Sequence, residues 1–252
     1  MARPASLSAS AWRPTYGWWP DPSQYDVNVL LTPFHWAKDE DAEFWFALRG
    51  WAGGDEPVWE HEVGLVHYGD QVSVRLSDLD VPPPPAQHGG LLEIDGVRLD
   101  KEPGSDTKFI GMWIDAQGPH GGGYIIPTVP IVGATKKVAR DDVQVAPGVL
   151  VGPEVDTEVL LLNPIEREID VRFVVASPDG LTDESRSFTV AGRSAWHGTL
   201  SQRVIRARRL LEASDGVGSL AIYTSHRLLP FFGFRTNGGP LLALDHTAPI
   251  FG

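Results

Sequence analysis

Histidines and carboxylates are the side chains of this sequence that could carry acid–base or metal chemistry. The 8 histidines are scattered, and none has a ligand spacing such as His-x-His or His-Glu-x-x-His. Residues 60–62 read Glu-His-Glu, but successive side chains of a strand point to opposite faces, so this triplet cannot chelate as a unit. Asp245 and His246 lie in an apolar closing segment, where polar groups must be satisfied. With His120 they are the candidates for catalysis, and a satisfied structural pair is the simpler interpretation.

The other common motifs of catalysis and cofactor binding do not occur in the sequence. There is no Gly-x-Ser-x-Gly elbow. The chain has no cysteine, which excludes disulfides, thiolate nucleophiles and Cys-ligated zinc or iron–sulfur clusters. The glycine-rich segments 121–123 and 238–239 lack the lysine and the following helix of a phosphate loop, so they predict hairpin turns. The sequence therefore predicts no metal and no cofactor.

One basic cluster occurs in a chain whose formal net charge is −12. In an acidic protein such a cluster could hold a carboxylate, a phosphate or an acidic partner surface. The segment from Ser201 to Glu212 predicts a short amphipathic helix that begins at a capping serine and has apolar residues at 204, 207, 210 and 211. A solvated helix face that pairs with nearby carboxylates is the simpler interpretation. The cluster consists of Arg203, Arg206, Arg208 and Arg209.

Tryptophan is concentrated in the first quarter of the chain, where seven of the 9 tryptophans lie at or before Trp59. On an alternating strand, Trp45 points away from its neighbours Phe44 and Phe46, so one aromatic face of the strand is not needed for the core of the first repeat. A platform of tryptophans could stack on a sugar ring or another flat apolar ligand, or it could pack against protein. The candidates for ligand or partner contact are Trp12, Trp18, Trp19, Trp36, Trp45 and Trp51.

The segment that ends at about residue 26 has no helical or strand period and is rich in proline and aromatic residues. This composition predicts an extended N-terminal arm. Large aromatic rings left in water would each cost about 1.5–3 kcal/mol. We therefore expect the arm to dock on its own domain or on a neighbouring subunit.

Alternating apolar and polar residues predict short strands along the rest of the chain, separated by turns rich in glycine, proline and aspartate. The same order of strands recurs in the second half, so the sequence predicts an all-β fold with an internal duplication. The clearest strands are residues 27–32, 44–48, 59–66 and 72–76, followed by 159–163, 169–175 and 218–222.

The duplication is most specific near the end of each copy. Residues 109–112 and 231–234 are similar phenylalanine-led runs, and each is followed by a glycine-rich turn. Residues 128–133 and 247–252 then share the pattern Thr-x-Pro-Ile-x-Gly. The predicted organisation is an arm at 1–26, a first β-sandwich repeat at 27–135, a linker at 136–148 and a second repeat at 149–252.

Three short runs of the second copy resemble bacterial immunoglobulin-like sandwich modules. They are Leu-Leu-Leu-Asn-Pro at 160–164, Ser-Pro-Asp-Gly at 177–180 and Phe-Thr-Val-Ala-Gly at 188–192. The resemblance spans about residues 155–223 and implies two tandem immunoglobulin-like β-sandwiches. It carries over no functional residue, because these runs are strand and turn signatures.

These observations favour a non-enzymatic structural or protein-interaction module in a homo- or hetero-oligomeric assembly. The alternative is a binder of carbohydrate or a small apolar ligand that uses the tryptophan face of the first repeat. An enzyme with a site between the repeats is the third hypothesis. The net charge repels nucleic acid and anionic lipid. Residues 1–25 lack a secretory apolar core and no run can span a bilayer, so a cytoplasmic location is expected.

Overall fold

The computed structural model describes residues 14–32, 43–84, 88–99, 111–117, 123–127, 129–130, 142–236 and 241–246. In these residues regular structure is almost entirely β-strand, and each strand pair is antiparallel. The prediction of an all-β fold is therefore confirmed. The few helices in the same ranges are one or two turns long, and none is long and apolar enough to cross a membrane.

The first half of the chain forms two sheets. Sheet 1 has the order β4-β3-β6-β1-β9, and sheet 2 has the order β5-β2-β7-β8. A single 3₁₀ turn, Leu76–Asp78, follows β5. The strands are β1 (Thr15–Trp19), β2 (Asp26–Thr32), β3 (Glu43–Trp51), β4 (Trp59–His67), β5 (Val72–Arg75), β6 (Gly90–Arg98), β7 (Gly111–Gln117), β8 (Gly123–Pro127) and β9 (Val129–Pro130).

The second half also forms two sheets. Sheet 3 has the order β10-β16-β12-β13, with β14 paired to the other end of β12, and sheet 4 has the order β15-β11-β17-β18. Helices α1 (Leu200–Arg203) and α2 (Ala207–Leu211) follow β15, and a 3₁₀ turn ends this segment. The strands are β10 (Asp142–Leu150), β11 (Val155–Asn163), β12 (Ile169–Ala176), β13 (Thr182–Glu184), β14 (Phe188–Val190), β15 (Ser194–Thr199), β16 (Val217–Thr224), β17 (Leu229–Thr236) and β18 (Leu241–His246).

The two halves place their strands in the same order. If the strands of each half are numbered from its start, one sheet contains the strand order 4-3-6-1 and the other has the order 5-2-7-8. In the second half the fourth place is shared by β13 and β14. The strands that the sequence marked as equivalent, such as β2 with β11 and β3 with β12, occupy equivalent places.

Most of the predicted strands lie where the sequence placed them. Residues 27–32, 44–48 and 169–175 fall within β2, β3 and β12. The strand predicted at 72–76 is one residue too long. It ends at Arg75, because Leu76 opens the 3₁₀ turn and buries its side chain there. The glycine-rich turns predicted at 121–123 and 238–239 lie mostly outside the described residues, but the strands that flank them pair as antiparallel hairpins.

The helix predicted from Ser201 to Glu212 is correct in its buried positions and wrong in its start and continuity. The chain forms two separate turns of helix, and the first begins after Thr199. The backbone N–H of Thr199 donates to Oε1 of Gln202 at 3.3 Å. Ser201 does not cap the helix, because its hydroxyl donates instead to the carboxylate of Asp156.

The domain boundaries differ from those expected for the arm and the linker. Part of the arm, Thr15–Trp19, is strand β1, paired with β6 on one side and β9 on the other. All five of its residues are buried, so the sequence there shows no alternation. Part of the linker, residues 142–148, belongs to β10, which pairs with β16 across a bulge next to Pro147.

Two hydrophobic cores meet at sheet 4. Val159 and Leu161 of β11 belong to the core shared with sheet 3 and the helices. Leu160 and Leu162 point to the opposite face and belong to the core of sheets 1 and 2. Residues 156–163 of β11 are all buried, which is typical of a strand covered on both sides. The two halves are therefore one body with a continuous interior.

Replacement of either Leu160 or Leu161 by alanine is expected to lower the free energy of unfolding by about 2–5 kcal/mol, because each leaves a cavity in a different core. Urea denaturation should still show one transition, since β11 belongs to both cores. Leu181→Ala, at a position that is 60% exposed, is the control and should leave the midpoint unchanged. A curve in which only one of two transitions moves would contradict a shared core.

Candidate functional site at the junction of the two halves

A buried charge cluster lies on the face of sheet 4 that meets the first half. Glu158 is on β11, and the strand registers place His197 opposite Leu160 on β15 and Arg235 opposite Asp156 on β17. Side chains of one parity share a face of a sheet. The carboxylate of Glu158 therefore lies between an imidazole and a guanidinium from its two neighbouring strands.

The contacts of this cluster cross from one half of the chain to the other. Nε2 of His197 lies 2.9 Å from Oε1 of Glu158, and Nε of Arg235 lies 2.5 Å from Oε2. Nη2 of Arg235 donates to the hydroxyl of Tyr25 at 3.2 Å. The Trp18 ring lies 4.4 Å from the His197 ring, centroid to centroid. The Glu158 side chain is only 3% exposed, so its charge is neutralised by protein and not by water.

A second histidine closes the same junction. Nδ1 of His88 donates to the backbone carbonyl of His197 at 2.7 Å, because a carbonyl oxygen only accepts. Nε1 of Trp18 in turn donates to the carbonyl of His88 at 3.1 Å. This chain of hydrogen bonds links β1, the loop two residues before β6, and β15. Burial lowers the pKa of His88 and outweighs the opposite effect of its hydrogen bond to His197. The lowered pKa favours the neutral ring.

The electrostatics keep Glu158 ionised. Burial alone would raise its pKa, but the hydrogen bonds and charges of His197 and Arg235 outweigh burial and hold the pKa below its usual range. Burial raises the pKa of Tyr25 although Arg235 opposes the rise, so the phenol keeps its proton. A carboxylate that stays charged and lies between Arg235 and His197 is suited to holding strands together. It is a poor general acid near neutral pH.

A second charged cluster lies on sheet 1. The guanidinium of Arg49 contacts Glu60 at 3.0 Å, Glu93 at 2.8 Å and Asp95 at 3.0 Å. Burial raises the pKa of Glu93 despite Arg49, and burial beside Glu93 raises the pKa of Tyr16 well above its ordinary value. The charge of Arg193 also acts on this cluster, where it opposes the rise in the pKa of Glu93 and of Tyr16.

No group of three or more histidine, aspartate or glutamate side chains in the described ranges could hold a metal ion. Asp245 and His246 are in β18, where they pair with Phe232 and Phe231 of β17. The structure does not describe the side chains of these two residues. His120 lies outside the described residues, so the catalytic hypothesis for these three positions remains a sequence-based expectation.

The described tryptophan candidates are packed inside the protein. Trp18, Trp19, Trp45 and Trp51 are each buried, while Trp12 and Trp36 lie outside the described residues. The Trp19 ring meets Trp59 edge to face, and a side chain at Gly90 would begin only 2.4 Å from Trp19. One face of the Trp51 ring is covered by protein, because the guanidinium of Arg193 lies 4.5 Å from the ring centroid.

The four arginines have separate contacts and do not converge on one point. Arg203 lies over Phe188 at 4.2 Å. Arg206 pairs with Asp183 at 2.9 Å, and Arg208 donates to the carbonyl of Gly152 at 2.8 Å. Arg209 is exposed. The contacts that the structure describes therefore do not bring the four guanidinium groups to one site.

The Glu158 cluster was not predicted from the sequence. A signal was present, because Glu158 directly precedes the apolar run 159–162, and a charge carried into a core beside such a run needs buried partners. The partners were not predictable, since His197 and Arg235 are 39 and 77 residues away in the chain (197 − 158 and 235 − 158).

A pocket of about 280 Å³ lies between the β1–β2 turn and the 3₁₀ turn after β5. Its interior is apolar, and its polar side is formed by Asp26 and Ser77, whose hydroxyl donates to Oδ1 of Asp26 at 3.2 Å. Nε of Arg75 lies 3.3 Å from the other carboxylate oxygen. This size is close to the lower limit of small-molecule sites. The principal apolar lining residues are Trp19, Pro20, Pro22, Tyr25, Leu76 and Val81.

Glu158→Gln is expected to lower the free energy of unfolding by about 1–3 kcal/mol at neutral pH, because it leaves the half-buried Arg235 without its counter-charge. Ionised Glu158 has a depressed pKa, so it stabilises the fold above the unfolded carboxyl pKa of 4.5. This contribution disappears as the pH falls through the lower folded pKa.

Denaturation of the wild type and of Glu158→Gln from pH 7 to 3 should show that their difference in the free energy of unfolding decreases in acid. Glu168→Gln, at an exposed site, is the control. A gap independent of pH would contradict this assignment.

Comparisons with known proteins give no family for this chain. No family model matches, and no curated protein matches. Among solved structures, the chain is similar to a Bacteroides uniformis β-glucuronidase, with 11% identity, a TM-score of 0.20, and coverage of 92% of this chain and 25% of that chain. A second similarity is to Bacteroides uniformis β-glucuronidase 2 covalently bound to cyclophellitol-6-carboxylate aziridine, with 13% identity, a TM-score of 0.17 and the same coverage. The chain spans a quarter of the length of these proteins.

Proposed function

We propose that this chain is a non-enzymatic structural and protein-interaction module that works within an assembly. The observation that carries the proposal is the junction cluster. The buried carboxylate of Glu158 is held by His197 and Arg235, and Arg235 also reaches Tyr25 of the other half. These charged groups thus serve to join the two halves into one unit.

The proposed architecture is a tandem duplication of immunoglobulin-like sandwiches, supported by the shared strand order of the halves. An immunoglobulin constant domain has sheets A-B-E-D and C-F-G. In both halves of this chain the second strand is beside the fifth and the third is beside the sixth, as in that fold. The first and seventh strands have exchanged partners, because the first pairs with the sixth and the seventh with the second.

The assembly proposal is tested by mass and by cross-linking. Sedimentation of the purified protein from about 1 to 200 μM should show species heavier than the 27.5 kDa monomer, or cross-linking in the natural source cells should join the chain to another polypeptide. High salt should weaken the association, because the chain is strongly charged. A monomer at every concentration, together with cross-links only within the chain, would contradict the proposal.

A second candidate function is the binding of a small apolar ligand, and the pocket beside Trp19 favours it. Half of the lining residues lie in β1, β2 and the 3₁₀ turn, and the other half lie in the β1–β2 turn and just after the 3₁₀ turn. Asp26 offers an acceptor at its polar side. A flat apolar molecule with one N–H donor fits these features better than a sugar does.

Indole is the probe for this pocket, and we expect calorimetry to give a dissociation constant on the order of 1 mM for so small a ligand. Leu79→Trp should abolish the signal, because residue 79 lines the pocket and the larger ring would fill it. Leu181→Trp, at an exposed position, is the matched control. Glucose should give no signal. Indole binding that survives Leu79→Trp would show that the pocket is not the site.

A further inference from the structure

Arg203, the last residue of α1, is partly buried and has no hydrogen-bond acceptor or carboxylate partner in the described part of the chain. Arg49 and Arg235, which are also partly buried, each form an ion pair with a carboxylate. Burial lowers the pKa of Arg203, and no described carboxylate opposes this effect. At Arg49 and Arg235 burial acts in the same direction, but carboxylates outweigh it and raise the pKa. The guanidinium of Arg203 therefore keeps N–H donors that the described protein groups do not use.

Two aromatic rings hold this guanidinium in place. Its carbon Cζ lies 4.2 Å from the ring centroid of Phe188 on β14 and 4.9 Å from that of Trp196 on β15. The centroids of these two rings are 5.0 Å apart, and Trp196 also meets Phe173 edge to face. Phe173 and Trp196 belong to the core between sheets 3 and 4, so the aromatic platform is anchored in the interior. A guanidinium fixed in this way loses little conformational entropy when it binds a ligand.

The contact with the rings leaves the hydrogen-bonding edge of Arg203 available. A guanidinium is planar and lies on an aromatic ring by its face, whereas its N–H groups point outward in its own plane. Two parallel N–H groups match the two oxygens of a carboxylate. Because Arg203 is only partly buried, a ligand in solution can reach these N–H groups. The aromatic platform and a bidentate anion can therefore contact the same guanidinium.

The charges around Arg203 favour a ligand with a single negative charge. The His88 ring lies 5.8 Å from the Trp196 ring, but burial, together with the charge of Arg203, lowers the pKa of His88 and favours its neutral form. Arg206 and Arg208 have acceptors of their own. One available cation suits a carboxylate better than a phosphate dianion, which proteins usually bind with clusters of arginine.

We infer that Arg203 binds the carboxylate of a ligand, with Phe188 and Trp196 as the side chains that position its guanidinium. The ligand is either a free carboxylic acid or an acidic group of another protein, since both present the same two oxygens. The inference does not depend on the proposed role in an assembly, because a free acid would bind to a monomer equally well.

Titration with acetate tests the site, and the readouts are the Nε–H resonance of Arg203 and the indole N–H resonance of Trp196 in ¹⁵N-edited NMR spectra. At a pH of about 6, where carboxyl groups are ionised, both resonances should shift and saturate with a dissociation constant on the order of 10 mM. Sodium chloride at equal ionic strength should give no saturating shift, because screening acts on all exposed charges alike. Shifts that do not saturate, or that chloride reproduces, would overturn the inference.

Three variants locate the acetate. Arg203→Lys keeps the charge but removes the bidentate donor, so the Trp196 resonance should lose its saturating response. Arg209→Lys, at an exposed position of α2, is the matched control and should leave both titration curves unchanged. Phe188→Leu should weaken acetate binding about three-fold, because the guanidinium loses one cation–π contact. An unchanged Trp196 response in Arg203→Lys would show that acetate binds elsewhere and would contradict the inference, and unchanged affinity in Phe188→Leu would remove the positioning role of that ring.

Cross-linking separates the two sources of the carboxylate. If the carboxylate belongs to a partner protein, Arg203→Lys and saturating acetate should each reduce intermolecular cross-links about five-fold. If the ligand is a free acid, the cross-links should stay unchanged while acetate still binds. A chain that binds acetate at Arg203 but forms no assembly contradicts only the assembly proposal, whereas an assembly whose Arg203 resonance ignores acetate contradicts only this inference.

Discussion

The structure depends on one strand that is covered on both sides. β11 carries one row of side chains into the core with sheet 3 and the other row towards sheets 1 and 2. Glu158 lies in the second row, where an ionised carboxylate is tolerated only with buried partners. His197 and Arg235 supply them from the flanking strands. A shift of one residue in the register of either flanking strand would turn that strand's partner residue away from Glu158.

The junction also explains where the polar and aromatic side chains of the first half lie. Trp18 and His88 meet β15 through ring contact and hydrogen bonds, and Arg193 covers Trp51. Aromatic side chains that the sequence suggests for ligand binding therefore pack against other parts of the protein.

The sequence predicted those strands that have one buried face and one face exposed to solvent. β2 alternates between buried and partly exposed residues and was located from its period alone. β1 and the start of β10 were assigned to an arm and a linker, because β1 is buried throughout and β10 contains Pro147 at a bulge. The candidate site was harder to predict. Its residues come together through long-range pairing, and periodicity reports only what a residue does within its own strand.

The two halves have the same strand order, yet their second strands differ in exposure. β2 keeps a partly open face that includes Asn28 and Leu30, whereas β11 has no open face between residues 156 and 163. We therefore expect the two strands to tolerate substitution unequally. On β11 almost any change disturbs two interiors at once and needs simultaneous compensation on both sides. On β2 the outward positions can change singly, which makes sheet 2 the region where new specificities can evolve without loss of the fold.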